Sequence, residues 1–136
     1  MRSVFACASL LTATAMSASA SADPILECRA LAGEEIALED CLRTQLDISS
    51  RAMMEAQGLA RSAATQLDER TGTEGAVLGL EAAQQAWEAY RDVECQTLAL
   101  FAGGGATAEA AQLACEIRLT RARTDGMLRV AGQAGG

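Results

Sequence analysis

The residue types best suited to binding or catalysis are concentrated in the stretch 82–95. It reads AAQQAWEAYRDVEC and holds the only tryptophan, Trp87, and the only tyrosine, Tyr90, of a 136-residue chain. Arg91, Asp92 and a cysteine follow within five positions. These types supply a cation–π contact, an ion pair and a disulfide, and tryptophan, tyrosine and arginine also dominate the energetics of protein interfaces. The stretch is therefore either a binding site or an anchor of the core.

The rest of the composition argues against catalysis. Histidine, lysine and asparagine are absent, so the usual general base, imidazole metal ligand and Schiff-base amine are missing. The glycine triplet Gly103, Gly104 and Gly105 lacks the Gly-Lys-Ser/Thr sequence of a phosphate-binding loop. Paired carboxylates stay available in principle, but no spacing points to them. We predict a protein that is not an enzyme and that uses no cofactor and no metal.

The first 22 residues have the layout of a secretory signal peptide. Arg2 supplies a positive charge, an apolar run covers 4–16, and Ala20-Ser21-Ala22 forms a small-residue cleavage site. The apolar run is shorter than the roughly 20 residues that span a membrane. We predict cleavage after Ala22 and a periplasmic or secreted protein with no integral membrane segment in the mature chain.

The mature chain is short and acidic. Removal of 22 of the 136 residues leaves 114, enough for one domain. It keeps all 18 acidic residues and loses one of 11 arginines, so its net charge is about −8. This charge disfavours nucleic acid and anionic membranes as partners and favours a basic protein, although solubility alone also explains an acidic surface.

Four cysteines remain in the mature chain, Cys28, Cys41, Cys95 and Cys115. An even number in a small exported protein predicts two disulfides. Zinc is disfavoured because no Cys-x-x-Cys pair is present.

The periodicity predicts an all-α protein. A short helix capped by Asp23 ends near Gly33, and longer helices cover about 35 residues from Glu34, then 76–101 and 107–130, with Thr107 as the N-cap of the last. We predict a small antiparallel bundle, a domain at 23–130, stapled by two disulfides, and a flexible tail at 131–136. The predicted inward faces are Leu38, Leu42, Leu46, Ser49, Met53, Ala56, Ala60, Ala63 and Leu67 in the first long helix; Leu80, Ala83, Trp87, Tyr90, Leu98 and Phe101 in the second; and Ala110, Leu113, Ala114, Ile117, Thr120, Thr124, Met127 and Leu128 in the third.

Cysteine spacing favours one pairing of the three that four cysteines allow. Cys95 and Cys115 lie nine residues before and eleven after Gly104, so a helical hairpin sets them at nearly the same height. Cys28 and Cys41 flank the Gly33 turn in the same way. We favour the two local bridges, Cys28–Cys41 and Cys95–Cys115. Crossed pairings stay open because Cys41 also reaches the level of the other pair.

On a helix, Trp87, Arg91 and Cys95 form one stripe. We expect Trp87 and Tyr90 to fill the core, with Arg91 lying on the indole, and Asp92 or Glu94 to pair with an arginine of the last helix, such as Arg118, Arg121 or Arg123. The alternatives are an exposed protein-binding cluster and a ligand pocket.

The residues of this stretch match the signature of a known family. They fit the pattern A-Q-x-x-W-x-x-x-R-D-x-x-C through Gln84, Trp87, Arg91, Asp92 and Cys95, and a glycine turn, a second cysteine and T-x-x-R follow as 103–105, Cys115, Thr120 and Arg123. The chain thus resembles the LprI-like lysozyme inhibitor N-terminal family. It departs from that family in lacking an Asn-x-x-Tyr segment near 47–54 and in having Gly105 where the turn usually ends in serine.

The resemblance implies a small exported helical protein that binds lysozyme. We expect it to block a basic c-type lysozyme by protein–protein contact, and the alternative is an envelope-stress or assembly module with another protein partner. Signature residues Gln84, Trp87, Tyr90, Arg91, Asp92, Thr120 and Arg123 are expected to be structural. The expected partner contacts are the two protruding turns, through Thr73 and Glu74 in one and Gly103, Gly104 and Gly105 in the other.

Overall fold

Four α-helices make up the part of the chain that this computed structural model describes, residues 22–32 and 37–133. They are α1 (Pro24–Ala32), α2 (Leu38–Thr71), α3 (Gly75–Phe101) and α4 (Gly105–Gln133). The predicted all-α bundle of one short and three long helices is confirmed. Residues 1–21 of the predicted signal peptide, 33–36 of the first turn and 134–136 of the predicted tail lie outside the described residues.

Helices α2 and α4 form the centre of the bundle, because each of them contacts the other three helices. At one end, α1 packs against α2 and α4, and Cys28, Leu42, Leu113 and Ile117 form a buried cluster there. The predicted cap of α1 is confirmed, since Asp23 Oδ1 accepts the Ile25 N–H at 2.9 Å. This end of the bundle is thus a core shared by three helices.

The middle of the bundle is packed through small residues. Ala56 and Ala60 of α2 are buried against Met127 of α4, with Leu80 and Trp87 of α3 at the edge of this cluster. Alanine leaves little side-chain volume between helices, so α2 and α4 approach closely along their length, with interaxial distances set by the side chains at the contact.

The inward face of α2 agrees with its predicted stripe except at the end. Leu67 is exposed, and Ala64 and Asp68 are buried in its place. The polar member of the stripe, Ser49, is buried with its hydroxyl donating to the Gln45 carbonyl at 2.8 Å. In α4, Leu128 is likewise exposed while Met127 is buried.

The predicted face of α3 was wrong by part of a turn. Ala83, Tyr90 and Phe101 face solvent, whereas Gln84 and Cys95 are the buried residues of this helix. Cys95 bonds to Cys115 with the two Cα atoms 5.5 Å apart, so its side of the helix has to face α4. That bond sets the rotation of α3 about its own axis, and this rotation determines which way the aromatic side chains of the helix point.

Both predicted disulfides are confirmed. Cys28 joins Cys41, 13 positions later in the chain, with a Cα–Cα distance of 5.7 Å. Cys95 joins Cys115, 20 positions later. A polar tie accompanies the first bridge, because Arg121 of α4 donates to Glu27 of α1 at 3.0 Å and to Gln45 of α2 at 3.1 Å. Covalent and ionic contacts thus attach the same short helix.

The two turns between the long helices are built differently. Gly72 ends α2 in the left-handed region, with φ 68°, and the carboxylate of the buried Asp68 then accepts the N–H groups of Ala76 at 2.9 Å and Val77 at 3.0 Å. Asp68 therefore caps α3 from the preceding helix, since Glu74 makes no side-chain cap.

The second turn is three glycines at positive φ, 90°, 98° and 63° for Gly103, Gly104 and Gly105. A side chain at these positions would be strained, so glycine is required by the backbone path. The helix α4 starts at Gly105, and the predicted N-cap role of Thr107 is wrong because Thr107 lies inside the first turn of that helix.

None of the described helices combines the length and the apolar character that crossing a membrane requires.

Replacing Cys95 and Cys115 together by alanine should lower the free energy of unfolding by about 3 kcal/mol, because the 20-residue loop they close would regain its freedom in the unfolded chain. Urea unfolding of the variant and of the parent protein, both under oxidising conditions, measures the difference. The matched control is the Cys28→Ala, Cys41→Ala variant, whose shorter loop predicts a slightly smaller loss. An unchanged unfolding midpoint in the first variant would contradict the role of this bridge.

Asp68 should make the stability of the bundle depend on acid pH. The N–H of Val77, then that of Ala76, hold the pKa of this carboxyl below its ordinary value, with partial burial opposing them and the Thr73 hydroxyl adding to them. The stabilisation is complete above the unfolded-state pKa of about 3.9 and is lost as pH falls through the lower folded-state pKa.

The variant Asp68→Asn should therefore unfold at lower urea than the parent protein at pH 7, since an amide oxygen replaces only one of two accepting carboxylate oxygens. The gap between the two midpoints should narrow as pH falls below about 4. Glu55→Gln, an equal loss of charge at an exposed site of α2, is the control and should show no such gap. A gap that stays constant down to pH 2 would rule out the capping carboxylate as its source.

Candidate protein-binding surfaces

The signature tryptophan lies between two arginines. Trp87 is half-buried against the Met53–Met127 cluster, with the Arg91 guanidinium 5.2 Å and the Arg123 guanidinium 5.9 Å from its ring centre. Arg91 comes from the next turn of α3, as expected, while Arg123 reaches over from α4. The indole is thus held on two sides by cation–π contacts.

Gln84 completes this arrangement from inside the bundle. It is 4% exposed, its Oε1 accepts from Arg123 Nε at 3.1 Å, and its Nε2 donates to Glu88 at 2.8 Å. Thr120 is fully buried on α4. The contacts of Gln84, Trp87 and Arg123 lie within the chain, and they join α3 to α4. Their structural role stays a prediction, and nothing in this cluster has the arrangement of a nucleophile and a base.

Two expectations about the signature were wrong. Tyr90 is 53% exposed and does not fill the core, because the rotation of α3 turns it to solvent. Asp92 does not tie helices together, since it pairs with its neighbour Arg91, Nη2 to Oδ1 at 2.8 Å. The arginine Arg121 of α4 pairs instead with Glu27 of α1, and a second ion pair to α4 joins its Glu109 to Arg43 of α2. Glu27 meets Arg121 because α1 packs against α4. The spacing of charges along α3 therefore could not indicate this pair.

The first predicted contact turn borders an open cleft of about 550 Å³ at the end of the α2–α3 hairpin. We call this the acidic cleft. Its lining residues are Thr65, Asp68, Glu69, Gly72, Thr73, Glu74, Val77 and Leu78. Of the two predicted contacts, Thr73 donates a hydrogen bond to Asp68 at 3.2 Å, and Glu74 is exposed at the rim. Sequence reasoning identified the turn but missed the cleft, whose apolar floor and second exposed carboxylate, Glu69, belong to the flanking helices.

The acidic cleft combines two properties suited to a basic protein surface. Glu69 and Glu74 are exposed carboxylates on its rim, where arginine or lysine of a partner has access. Val77 and Leu78 offer apolar surface between them, and Asp68 is occupied by backbone N–H groups. The turn is therefore fixed by its own cap while its rim stays free to bind.

The second predicted contact turn lies at the opposite end of α3. Gly103, Gly104 and Gly105 follow Leu100 and Phe101, which are 82% and 86% exposed. The 27 residues of α3 separate the two turns by about 40 Å, so the structure does not bring the predicted contacts together. The turn before α3 is therefore acidic, and the turn after it is apolar.

Within the described ranges, no three histidine, cysteine or carboxylate side chains come together as metal ligands.

The chain was compared with known proteins. Residues 28–126 match the family described as lysozyme inhibitor LprI. No curated protein matches the chain, and no solved structure does. The matched segment runs from Cys28 through α2, α3 and most of α4, and so includes both disulfides and every signature residue. The chain therefore belongs to the LprI lysozyme inhibitor family.

Proposed function

We propose that this protein is exported and inhibits a c-type lysozyme by binding it through the acidic cleft. Membership of the LprI family supports an inhibitor that acts by protein contact. The observation that carries the choice of surface is the pair of exposed carboxylates, Glu69 and Glu74, beside the apolar side chains of Val77 and Leu78 in one cleft at the α2–α3 turn.

Charge supports this pairing of partners. The chain has a net charge of −7, and a strongly basic lysozyme would be attracted to it over a distance of about a Debye length, roughly 8 Å at physiological salt. Such steering raises the association rate, while contacts at the interface set the dissociation rate. The surfaces of the partner and the inhibitor would thus carry opposite charge and attract each other before any contact forms.

The shape of the hairpin end supports a blocking mechanism. Lysozyme cleaves its substrate with two carboxylates in an open cleft, so an inhibitor has only to occupy or cover that cleft. The α2–α3 turn has three residues between its helices, 72–74, and is fixed by Gly72 and by the Asp68 cap. A narrow, pre-ordered turn loses little entropy on insertion. Thr73 and Glu74 would enter the cleft of the enzyme, and Glu69 would contact the rim of that cleft.

Export is part of the same proposal. The described helices begin at Pro24, after the proposed cleavage site at Ala22, and the two disulfides suit an oxidising compartment. Protein recovered from the periplasm or medium should begin at Asp23, which N-terminal sequencing measures. Recovery of the protein with Met1 or Arg2 still attached would contradict cleavage of this segment.

The double variant Glu69→Gln, Glu74→Gln should bind lysozyme at least about 10-fold more weakly than the parent protein, because two rim charges that face a basic surface are removed. Calorimetry at low salt measures the affinity, and residual lysis of cell walls with the inhibitor in excess measures inhibition. The matched control is Glu55→Gln, Asp125→Asn, which removes the same charge from exposed sites outside the cleft.

The two double variants separate local contact from general attraction. If both weaken binding equally, the net charge acts without the acidic cleft, and this assignment of the surface is wrong. If the parent protein leaves lysozyme fully active and shows no heat of binding at low salt, lysozyme is not the partner.

A further inference from the structure

The solvent side of α3 carries no charged residue over its whole length. We call this the outer face of α3. The five charged residues of the helix are Glu81, Glu88, Arg91, Asp92 and Glu94, and they lie on its flanks or toward the bundle. Between them runs an uncharged band that is exposed from Gly75 to Phe101. The helix α3 is thus apolar on both sides, since Leu80, Trp87 and Cys95 face the bundle while other apolar residues face water.

The outer face changes in side-chain size from one end to the other. Its first half is made mostly of the smallest residues, such as Gly75, Gly79, Ala82 and Ala86, with Leu78, which is 60% exposed, at its edge beside the acidic cleft. Its second half carries Tyr90, Val93, Leu100 and Phe101, which are 53%, 66%, 82% and 86% exposed. Exposed apolar surface of this extent marks an interaction site in a folded protein.

We infer that the outer face of α3 binds a second copy of this chain, with the two helices antiparallel. A two-fold axis between residues 87 and 88 sets Leu100 of one copy against Gly75 of the other and Val93 against Ala82. The bulky half of each helix then packs on the small half of its partner, and the same contact is made twice. A parallel arrangement would instead put bulky residues against bulky ones and leave the small halves apart.

The area suffices for a reversible dimer. A helix face about 40 Å long and about 11 Å wide covers about 450 Å² on each copy, or about 900 Å² in all, which is the size of a weak, transient protein interface. Because the band is uncharged, its burial removes no ion from water. We therefore expect a dissociation constant in the micromolar range.

The absence of charge on the outer face argues against a basic enzyme as its occupant, and the match between its bulky and small halves favours a second copy of this chain. The outer face offers no carboxylate to an arginine or lysine, whereas the acidic cleft offers two. Two copies of the chain from Asp23, each of net charge about −8, repel each other, so added salt should tighten the dimer by screening. Salt should weaken binding to a basic lysozyme, and self-association is measured with no lysozyme present. The inference thus stands or falls independently of the proposed function.

Sedimentation equilibrium of the chain from Asp23, at up to about 0.5 mM, tests the dimer. We expect self-association that is tighter at high than at low salt. Ala86→Glu, near the middle of the outer face, should weaken it about 100-fold, because two carboxylates become buried per dimer. Gln85→Glu adds the same charge one residue away on the flank and should change it less than about 3-fold. Circular dichroism checks that both variants stay helical.

Cysteine crosslinking tests the orientation. Ala82 and Val93 are 11 residues apart, or about 16 Å along the helix, and a disulfide needs Cα atoms within about 7 Å. A mixture of Ala82→Cys and Val93→Cys proteins should give a crosslinked pair containing one of each, and either variant alone should stay uncrosslinked. Crosslinking of a variant with itself would overturn the antiparallel arrangement.

Three further results would overturn the dimer. One is a protein that stays monomeric over the whole range of concentration and salt. Another is a dimer dissociation constant that Ala86→Glu and Gln85→Glu raise by the same factor. The third is a monomer whose lysozyme binding is weakened by Ala86→Glu alone, which would assign the outer face of α3 to the enzyme.

Discussion

The rotation of α3 on α4 is the constraint on which the rest of this structure depends, and the Cys95–Cys115 bond sets it. With Cys95 directed at α4, Gln84 lies three turns earlier on the same side and meets Arg123. The indole of Trp87 then lies at the edge of the core between two arginines. The same rotation turns Tyr90 and Phe101 to solvent. One covalent bond therefore accounts for both the inner contacts of the family signature and the apolar surface of the outer face.

A bundle with few large side chains needs such staples. Half of its eight buried residues in α2 are alanine, and each of these contributes little apolar area, at roughly 25 cal/mol per Å² buried. The disulfides limit the freedom of the unfolded chain, and the Arg121–Glu27 pair fastens α1 where Cys28 also holds it. Asp68 adds a cap where α3 would otherwise begin with unpaired N–H groups. Stability here comes from ties between helices as much as from the core.

The surface separates into parts of different chemistry because the charges are unevenly placed. Carboxylates surround the α2–α3 turn, and the outer face of α3 has none. Opposite charge attracts a basic partner and weakens with salt, whereas apolar contact between like-charged copies strengthens with it. In an antiparallel pair the acidic turns of the two copies would lie at opposite ends, about 40 Å apart. The two surfaces therefore adjoin at the start of α3, where Gly75 of one copy would meet Leu100 of the other.

Local chemistry in the chain was enough to predict the helices and their turns and to favour the observed disulfide pairing, although it left crossed pairings open. Helix periodicity and glycine breaks depend on neighbouring residues, and the heights of Cys95 and Cys115 follow from the rise per residue. The side of α3 that faces the bundle could not be predicted in this way. The stripe through Tyr90 and the stripe through Gln84 are offset by one residue, and both contain apolar side chains. Partners from distant segments, such as Glu27 for Arg121 and Asp68 for the start of α3, likewise arise only when helices pack. Periodicity specifies where a helix runs, but the direction in which each side chain points is settled by contacts between helices that are far apart in the chain.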